Sequence, residues 1–254
     1  MNFIENDLLR TPEDFYKIIK DDPNNYFVIK EDNEDFYRPL LSKACSLKKD
    51  SLISWLLKKG ANPNSKDNND DTALDVCIEC NFVYGAKKLI PLTNLINCNY
   101  CYYLERCLCL QRFEIIDELL KQKELIDNIK LSVRYLTSCY TEMNSRVVGE
   151  YNTYSRRSNK NLEMKYMEVF EKFLSLDCPI NGIEGDKHYN LPLHCAARDM
   201  HVKLIKYFID NGARWDLQIF YYGGKVTACD LGGTKKIRRL IKRYPYNDGL
   251  NIKG

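Results

Sequence analysis

Histidine is scarce in this chain, with three in 254 residues, and tryptophan (two) and methionine (five) are nearly as rare. Chemistry that depends on imidazole can therefore draw only on His188, His194 and His201. The sequence has no HExxH pair, no phosphate-binding GxxxxGK[ST] loop and no GxSxG elbow, so nothing assembles a nucleophile, a base or a metal set; no enzyme activity, cofactor or metal is expected. No run of about 18 apolar residues is present, which predicts no membrane-spanning helix. The N-terminus also lacks the basic, apolar, small-residue order of a secretory leader, and the expected location is the cytoplasm. A formal net charge of +3 is too small to point to nucleic acid without a recognisable binding module. The 44% hydrophobic and 29% charged fractions exclude a mainly disordered chain.

What the chain does contain is a repeated unit. Residues 191–216, LPLHCAARDMHVKLIKYFIDNGARWD, hold two short helical patterns, one through Leu193, Ala196 and Ala197 and one through Leu204, Ile205, Phe208 and Ile209. Asn211-Gly212 supplies the left-handed geometry that ends the second helix. The same layout recurs from Pro39 to Asn64, with Ala44-Cys45, Leu52-Ile53, Leu56-Leu57 and Gly60-Ala61 in register. Further copies begin at Thr72, at Tyr102 and near Arg134, and a shortened one runs from Thr227 to Arg243. One hairpin of this size cannot bury both faces, so neighbouring copies must stack.

The pattern Pro192-Leu193-His194, Ala196-Ala197, His201, Leu204-Ile205, Phe208-Ile209 and Gly212-Ala213 resembles an ankyrin repeat. The resemblance implies an all-α solenoid of helix-turn-helix repeats joined by hairpin loops, with capping helices at both ends. The expected divisions are an N-terminal capping segment (1–35), repeats over 36–243 and a tail (244–254). Within the array the copies fall at about 36–66, 67–97, 98–129, 130–185, 186–222 and 223–243, the last a C-terminal cap. His194 and His201 would satisfy turns. The degenerate, cysteine-tolerant repeats, rich in Asn, Lys and Ile, look like the ankyrin proteins that intracellular bacteria and large DNA viruses direct against host factors.

Three segments depart from the pattern. Thr11-Pro12-Glu13-Asp14 is a helix start followed by the apolar face Phe15, Ile18 and Ile19, and predicts a capping helix pair; the acidic residues Glu31, Asp32, Glu34 and Asp35 read as a solvated loop. In the fourth copy roughly 22 residues separate the two helices, a polar insertion at about 141–163 with Arg146, Arg156, Arg157, Tyr151 and Tyr154, read as a loop. Lys235, Lys236, Arg238, Arg239, Lys242 and Arg243 read as a solvated cap face. The Thr-x-x-Asp pairs at Thr72 to Asp75 and Thr227 to Asp230 stand where the family carries its Thr and His, which predicts lost caps and a weak array.

Eleven cysteines raise a metal or disulfide reading. Cys45, Cys77, Cys107 and Cys139 each occupy a small-residue slot of a first helix, where Cys packs as a compact apolar filler. Cys77-x-x-Cys80 with Cys98-x-x-Cys101 has zinc-like spacing, but the repeat register puts the two pairs at opposite ends of a helix, too far apart for one ion. Reduced, structural thiols are expected.

What remains is surface. In the ankyrin family the hairpin tips and the exposed side of the first helices form a concave protein-binding face. Carried over position by position, that face is Asp35, Phe36, Arg38, Asn68, Asn69, Asp71, Glu79, Tyr100, Tyr103, Lys187, His188, Tyr189, Arg198, Asp199, Tyr221 and Tyr222. Further tip positions are Lys130, Leu131 and Val133, and Trp55 and Trp215 are read as interior. The expectation is a non-catalytic, monomeric module that binds one protein partner, a host protein in the host cytosol, through this face. The alternatives are an inhibitor or immunity partner of a toxin, and an enzyme whose active site sits on the insertion.

Overall fold

The computed structural model describes residues 4–5, 23–24, 26–31, 34–96, 101–148, 160–183 and 190–243. The chain divides into two compact units, Met1–Leu125 and Ile126–Gly254. Helices dominate both, with small sheets added.

The first unit opens on a three-stranded sheet, β1 (Ile4–Glu5), β2 (Tyr26–Glu31) and β3 (Glu34–Pro39), in which β2 pairs parallel to β1 and antiparallel to β3. This corrects the reading of Glu31, Glu34 and Asp35 as loop, while Asp32 lies outside the described residues: the register sets Phe27 opposite Arg38, Ile29 opposite Phe36 and Glu31 opposite Glu34. The reason lies in Tyr26-Phe27-Val28-Ile29, four consecutive aromatic or β-branched residues, which favour the extended backbone. The capping helix expected at 11–22 lies outside the described residues.

Three helix pairs follow: α1 (Leu40–Ser46) with α2 (Asp50–Lys58), α3 (Ala73–Glu79) with α4 (Val83–Leu89), and α5 (Tyr102–Cys109) with α6 (Phe113–Leu119). First helices pack on first helices (α1 on α3, α3 on α5) and second on second (α2 on α4, α4 on α6), the stacking of a solenoid. Cys45, Cys77 and Cys107 are fully buried beside Ala44, Ile78 and Leu108, where their small side chains let adjacent helices approach. Each helix pair turns on a non-glycine residue with positive φ: Lys48 (51°), Asn81 (50°) and Gln111 (59°). The two amides of each turn close on the end of the first helix, as in Gln111 N to Leu108 O (3.2 Å) and Arg112 N to Cys107 O (2.8 Å).

A further helix, α7 (Lys123–Ile129), occupies the stretch before Lys130 where a hairpin loop was expected. Leu125 and Ile129, four apart, are both fully buried, which gives the stretch a helical apolar face. Val133, expected at a loop tip, is also fully buried.

In the second unit α8 (Arg134–Met143) runs on into a π-helical turn, Asn144–Val148, and α9 (Lys160–Ser175) is 16 residues long. The insertion is therefore helical at both described ends, because Met143, Val147 and Leu162 are buried and anchor it; residues 149–159, with Tyr151, Tyr154, Arg156 and Arg157, lie outside the described residues. Then come α10 (Pro192–Arg198), α11 (Val202–Asp210), the hairpin of β4 (Ile219–Tyr221) and β5 (Gly224–Val226), and the terminal α12 (Ala228–Leu231) and α13 (Lys235–Lys242). The core of this unit is aromatic: Phe170 and Phe208 rings stand 5.4 Å apart edge to face, and Tyr140 lies 6.3 Å from Phe208.

Both Thr-x-x-Asp pairs form complete capping boxes, so the expected loss of caps is corrected. Thr72 Oγ1 accepts from Asp75 N (3.4 Å) while Thr72 N donates to Asp75 Oδ2 (2.9 Å), and Thr227 and Asp230 repeat the arrangement. The two halves of the box satisfy amides that helix geometry alone leaves open, and the Asp takes over the cap where the family has His.

Candidate functional site

The loop that joins α2 to α3 is built on Asp67. Its Oδ1 accepts from Asn69 N (2.9 Å) and Asp71 N (3.0 Å), an Asx-type turn that lets Asp70 take φ 64°. Arg38 lies 3.6 Å from the buried Oδ2 of Asp67, and Tyr37 N donates to Asn68 Oδ1 (3.2 Å), so the end of β3 ties down the same loop. Of the expected contact residues, Asn68, Asn69 and Asp71 sit here. Asp35 and Phe36 lie on β3 at the register positions given above.

From the other side α5 delivers Tyr102 and Arg106, one turn apart on one helix face. Arg106 Nη1 donates to Asp71 Oδ1 (2.8 Å), Asp75 Oδ1 (3.2 Å) and the Tyr102 hydroxyl (2.7 Å), and Nη2 bonds Glu79. One guanidinium thus joins the loop, the start and end of α3, and α5. Burial works against its charge, but the hydrogen bond to Asp71 and the carboxylates around it hold Arg106 well above its usual pKa. Asp75 is raised instead: burial outweighs its bonds to Thr72 and the attraction of Arg106. Between loop and helix lies a groove of about 480 Å³, lined among others by Asn69, Asp70, Asp71, Asn94 and Tyr102.

Tyr103 is not on this open surface. It is 8% exposed, and its hydroxyl lies 3.2 Å from Thr72 Oγ1. Four residues separate it from Cys107, so both point into the stack, and the exposed ring is Tyr102, at 50%. Arg106 was absent from the expected set, although its place four residues after Tyr102 and next to Cys107 put it on the rim of that face. Tyr100, Lys187, His188 and Tyr189 lie outside the described residues.

The remaining expected residues belong to the second unit. Asp199 accepts from the Tyr140 hydroxyl (2.9 Å), Asn144 Nδ2 (3.0 Å) and Arg198 Nε (2.9 Å). Partial burial pushes its carboxyl up, but the bonds from Arg198 and Tyr140 and the charge of Arg198 hold it below the usual range, so Asp199 latches α8 to α10 as well as facing solvent. Tyr222 is 94% exposed at the hairpin tip and meets Tyr221 edge to face at 4.6 Å. His194 is buried beneath the hairpin with Nε2 donating to Leu217 O (2.9 Å), and burial pushes its pKa down. That bond is a turn support, and the neighbouring Cys195 thiol is pushed up to about 11 by burial. Trp55 and Trp215 are half-buried.

Residues 41–90 match the family model for ankyrin repeats in many copies, and residues 188–219 match the model of the single ankyrin repeat. These two stretches of the chain are ankyrin repeats. Ankyrin repeats are protein-protein interaction modules, generally non-enzymatic scaffolds, and this chain carries such a module. The crystal structure of the human ASB11 ankyrin repeat domain is similar at 19% identity, over 81% of this chain and 97% of that one, with a TM-score of 0.41. No curated protein matches the chain. No described helix is long and apolar enough to cross a membrane.

Proposed function

We propose that the chain is a non-catalytic binder that holds one protein partner on the groove of its first unit, with Asn69, Asp71 and Tyr102 at the contact. The observation that carries this reading is the bracing of the groove by Arg106, which bonds three acidic side chains and a tyrosine hydroxyl. A rim held in place before binding spares the partner the cost of ordering it. Tyr and Arg are also the residues that dominate binding hot spots. Arg198, Asp199, Tyr221 and Tyr222 form a separate set on the second unit. The degenerate, cysteine-tolerant repeats support a host protein as the partner, met in the cytosol by a monomeric chain that acts by occupancy.

A photo-crosslinking amino acid placed at Asn69 tests this in lysates of candidate host cells. A single partner should crosslink from Asn69 and not from Glu114, which is exposed on α6. The Tyr102→Ala change should abolish that product. Crosslinking from Glu114 alone would move the contact off the groove.

A further inference from the structure

We propose that α13 is a second docking surface, fitted to a short acidic segment of a protein. Ile237 and Ile241, four apart, are buried and fix how the helix lies. Lys235, Lys236, Arg239, Lys242 and Arg243 fall within about 60° of the opposite pole of the helix. Arg238 flanks them, and all six cations are exposed. Arg238 donates to Gly232 O (2.8 Å), whereas Lys235, Lys236, Arg239, Lys242 and Arg243 have no ion pair among the described residues.

A merely solvated face would not be built this way. Lys235 with Arg239, Arg239 with Arg243 and Arg239 with Lys242 are like-charge pairs at spacings of three and four, each of which weakens a helix. Lys235 and Lys236 also stand in the first turn, where the positive end of the helix dipole opposes them, although it favours Arg239 and Lys242 in the last turn. No acidic residue interrupts the run from 235 to 243, and Asp230 on α12, whose carboxyl Arg238 and Lys242 help hold down, is a single carboxylate against six cations. The sequence therefore retains a self-repelling surface that an anionic partner would neutralise.

The shape of the patch selects among anions. Ile237 and Ile241 are buried and Leu240 is half-buried, so the helix offers no fully exposed apolar side chain to a lipid bilayer. The face spans about 12 Å and offers only cations. A duplex would meet few of its phosphates there, and no Asn, Gln or aromatic side chain on the exposed face could address bases. A stretch of two or three carboxylates fits it, and the Arg239 and Arg243 forks can grip carboxylates in pairs.

The test uses the full chain and fluorescence anisotropy of a labelled peptide of about eight alternating Glu and Ser, long enough to span the patch. The triple change Lys235→Ala, Arg239→Ala, Lys242→Ala keeps the best helix former at each site. It should bind about tenfold more weakly, as expected for three exposed ion pairs, and lose much of the salt dependence. Lys58→Ala with Lys59→Ala at the C-terminal end of α2 should change nothing. Circular dichroism should show the triple variant folded; if it is not, Lys242→Ala alone is measured, with a twofold to threefold loss expected. Equal affinity of the variant, no binding of the peptide, or tighter binding of a duplex oligonucleotide or a phosphatidylserine vesicle would overturn the proposal.

Discussion

At Gln111 the chain takes φ 59°, a conformation in which a β-carbon crowds the following carbonyl. The strain costs about 1 kcal/mol or more for a non-glycine residue, and the helix-helix turn needs the conformation regardless. Gln111→Gly removes the strain but gives the unfolded chain more freedom, so the expected net gain is small, about 0.5 kcal/mol in urea unfolding. Gln111→Val, stiff at the β-carbon, should instead lose about 1 to 2 kcal/mol. Equal stability of the two variants would mean the turn relaxes out of the left-handed region. His194 and His201 set a pH dependence at the same scale. Burial lowers both pKa values in the folded chain below the usual 6.5, so the unfolded chain binds protons first as pH falls. Their stability is present above about pH 6.5 and is lost progressively below it. The melting temperature should therefore drop between about pH 7.5 and 5.5, and less steeply in His194→Leu. Asp199, also lowered, adds its loss only below the usual carboxylate value of 3.8.

At the scale of the element, α4 lies close on α3 because Gly85 has no side chain. A β-carbon there would come 2.5 Å from Phe82 Cδ1 and 2.9 Å from Cys77 Sγ. Helix propensity alone would favour Ala by about 1 kcal/mol. Overpacking costs about 1 to 3 kcal/mol, so Gly85→Ala should destabilise overall. A stabilised variant would show that the Phe82 ring moves aside without loss. The insertion makes a second test, since its described ends are helical and carry buried side chains. Replacing 149–159 with a Gly-Ser linker should leave the helical circular-dichroism signal intact. Replacing 143–162 also removes Met143, Val147 and Leu162, each of which stabilises by about 1.5 to 3 kcal/mol when buried, and should melt the second unit. Loss of the helical signal in both variants would place an essential element within 149–159.

Over the whole molecule the two units carry opposite charge, with acidic residues in excess up to Leu125 and basic residues in excess after it. Each also holds one of the two tryptophans, Trp55 in the first and Trp215 in the second, so each unit has its own fluorescent reporter. Arg106→Met would leave Asp71, Asp75 and Glu79 together without their shared cation. Breaking a mostly buried pair costs up to about 3 to 5 kcal/mol; with Glu79 open to water, about 2 kcal/mol is expected here. In a solenoid, stability is a sum of local and nearest-neighbour terms, so the loss should stay near its source. The urea midpoint read from Trp55 in a Trp215→Phe background should fall more than that read from Trp215 in a Trp55→Phe background. Identical shifts would mean that the array unfolds as one cooperative body.

The helix pairs, their core faces and the buried cysteines were legible in the sequence because each depends on local spacing. Three- and four-residue periodicity decides which side of a helix is apolar, and Cys45, Cys77, Cys107 and Cys139 fell on that side four times over. The same rule, applied to Tyr103 and Cys107, would have placed Tyr103 inside and Tyr102 outside. The β2–β3 hairpin was half legible: Tyr26 to Ile29 favour extended backbone, yet Glu31, Asp32, Glu34 and Asp35 give a polar composition that reads as loop, and only pairing with a second strand decides between them. The Arg106 cluster was beyond sequence reasoning altogether. Asp71, Asp75, Glu79 and Arg106 are separated by up to 35 positions. Nothing local says that one cation will satisfy three carboxylates, because that outcome follows from how closely α5 packs on α3.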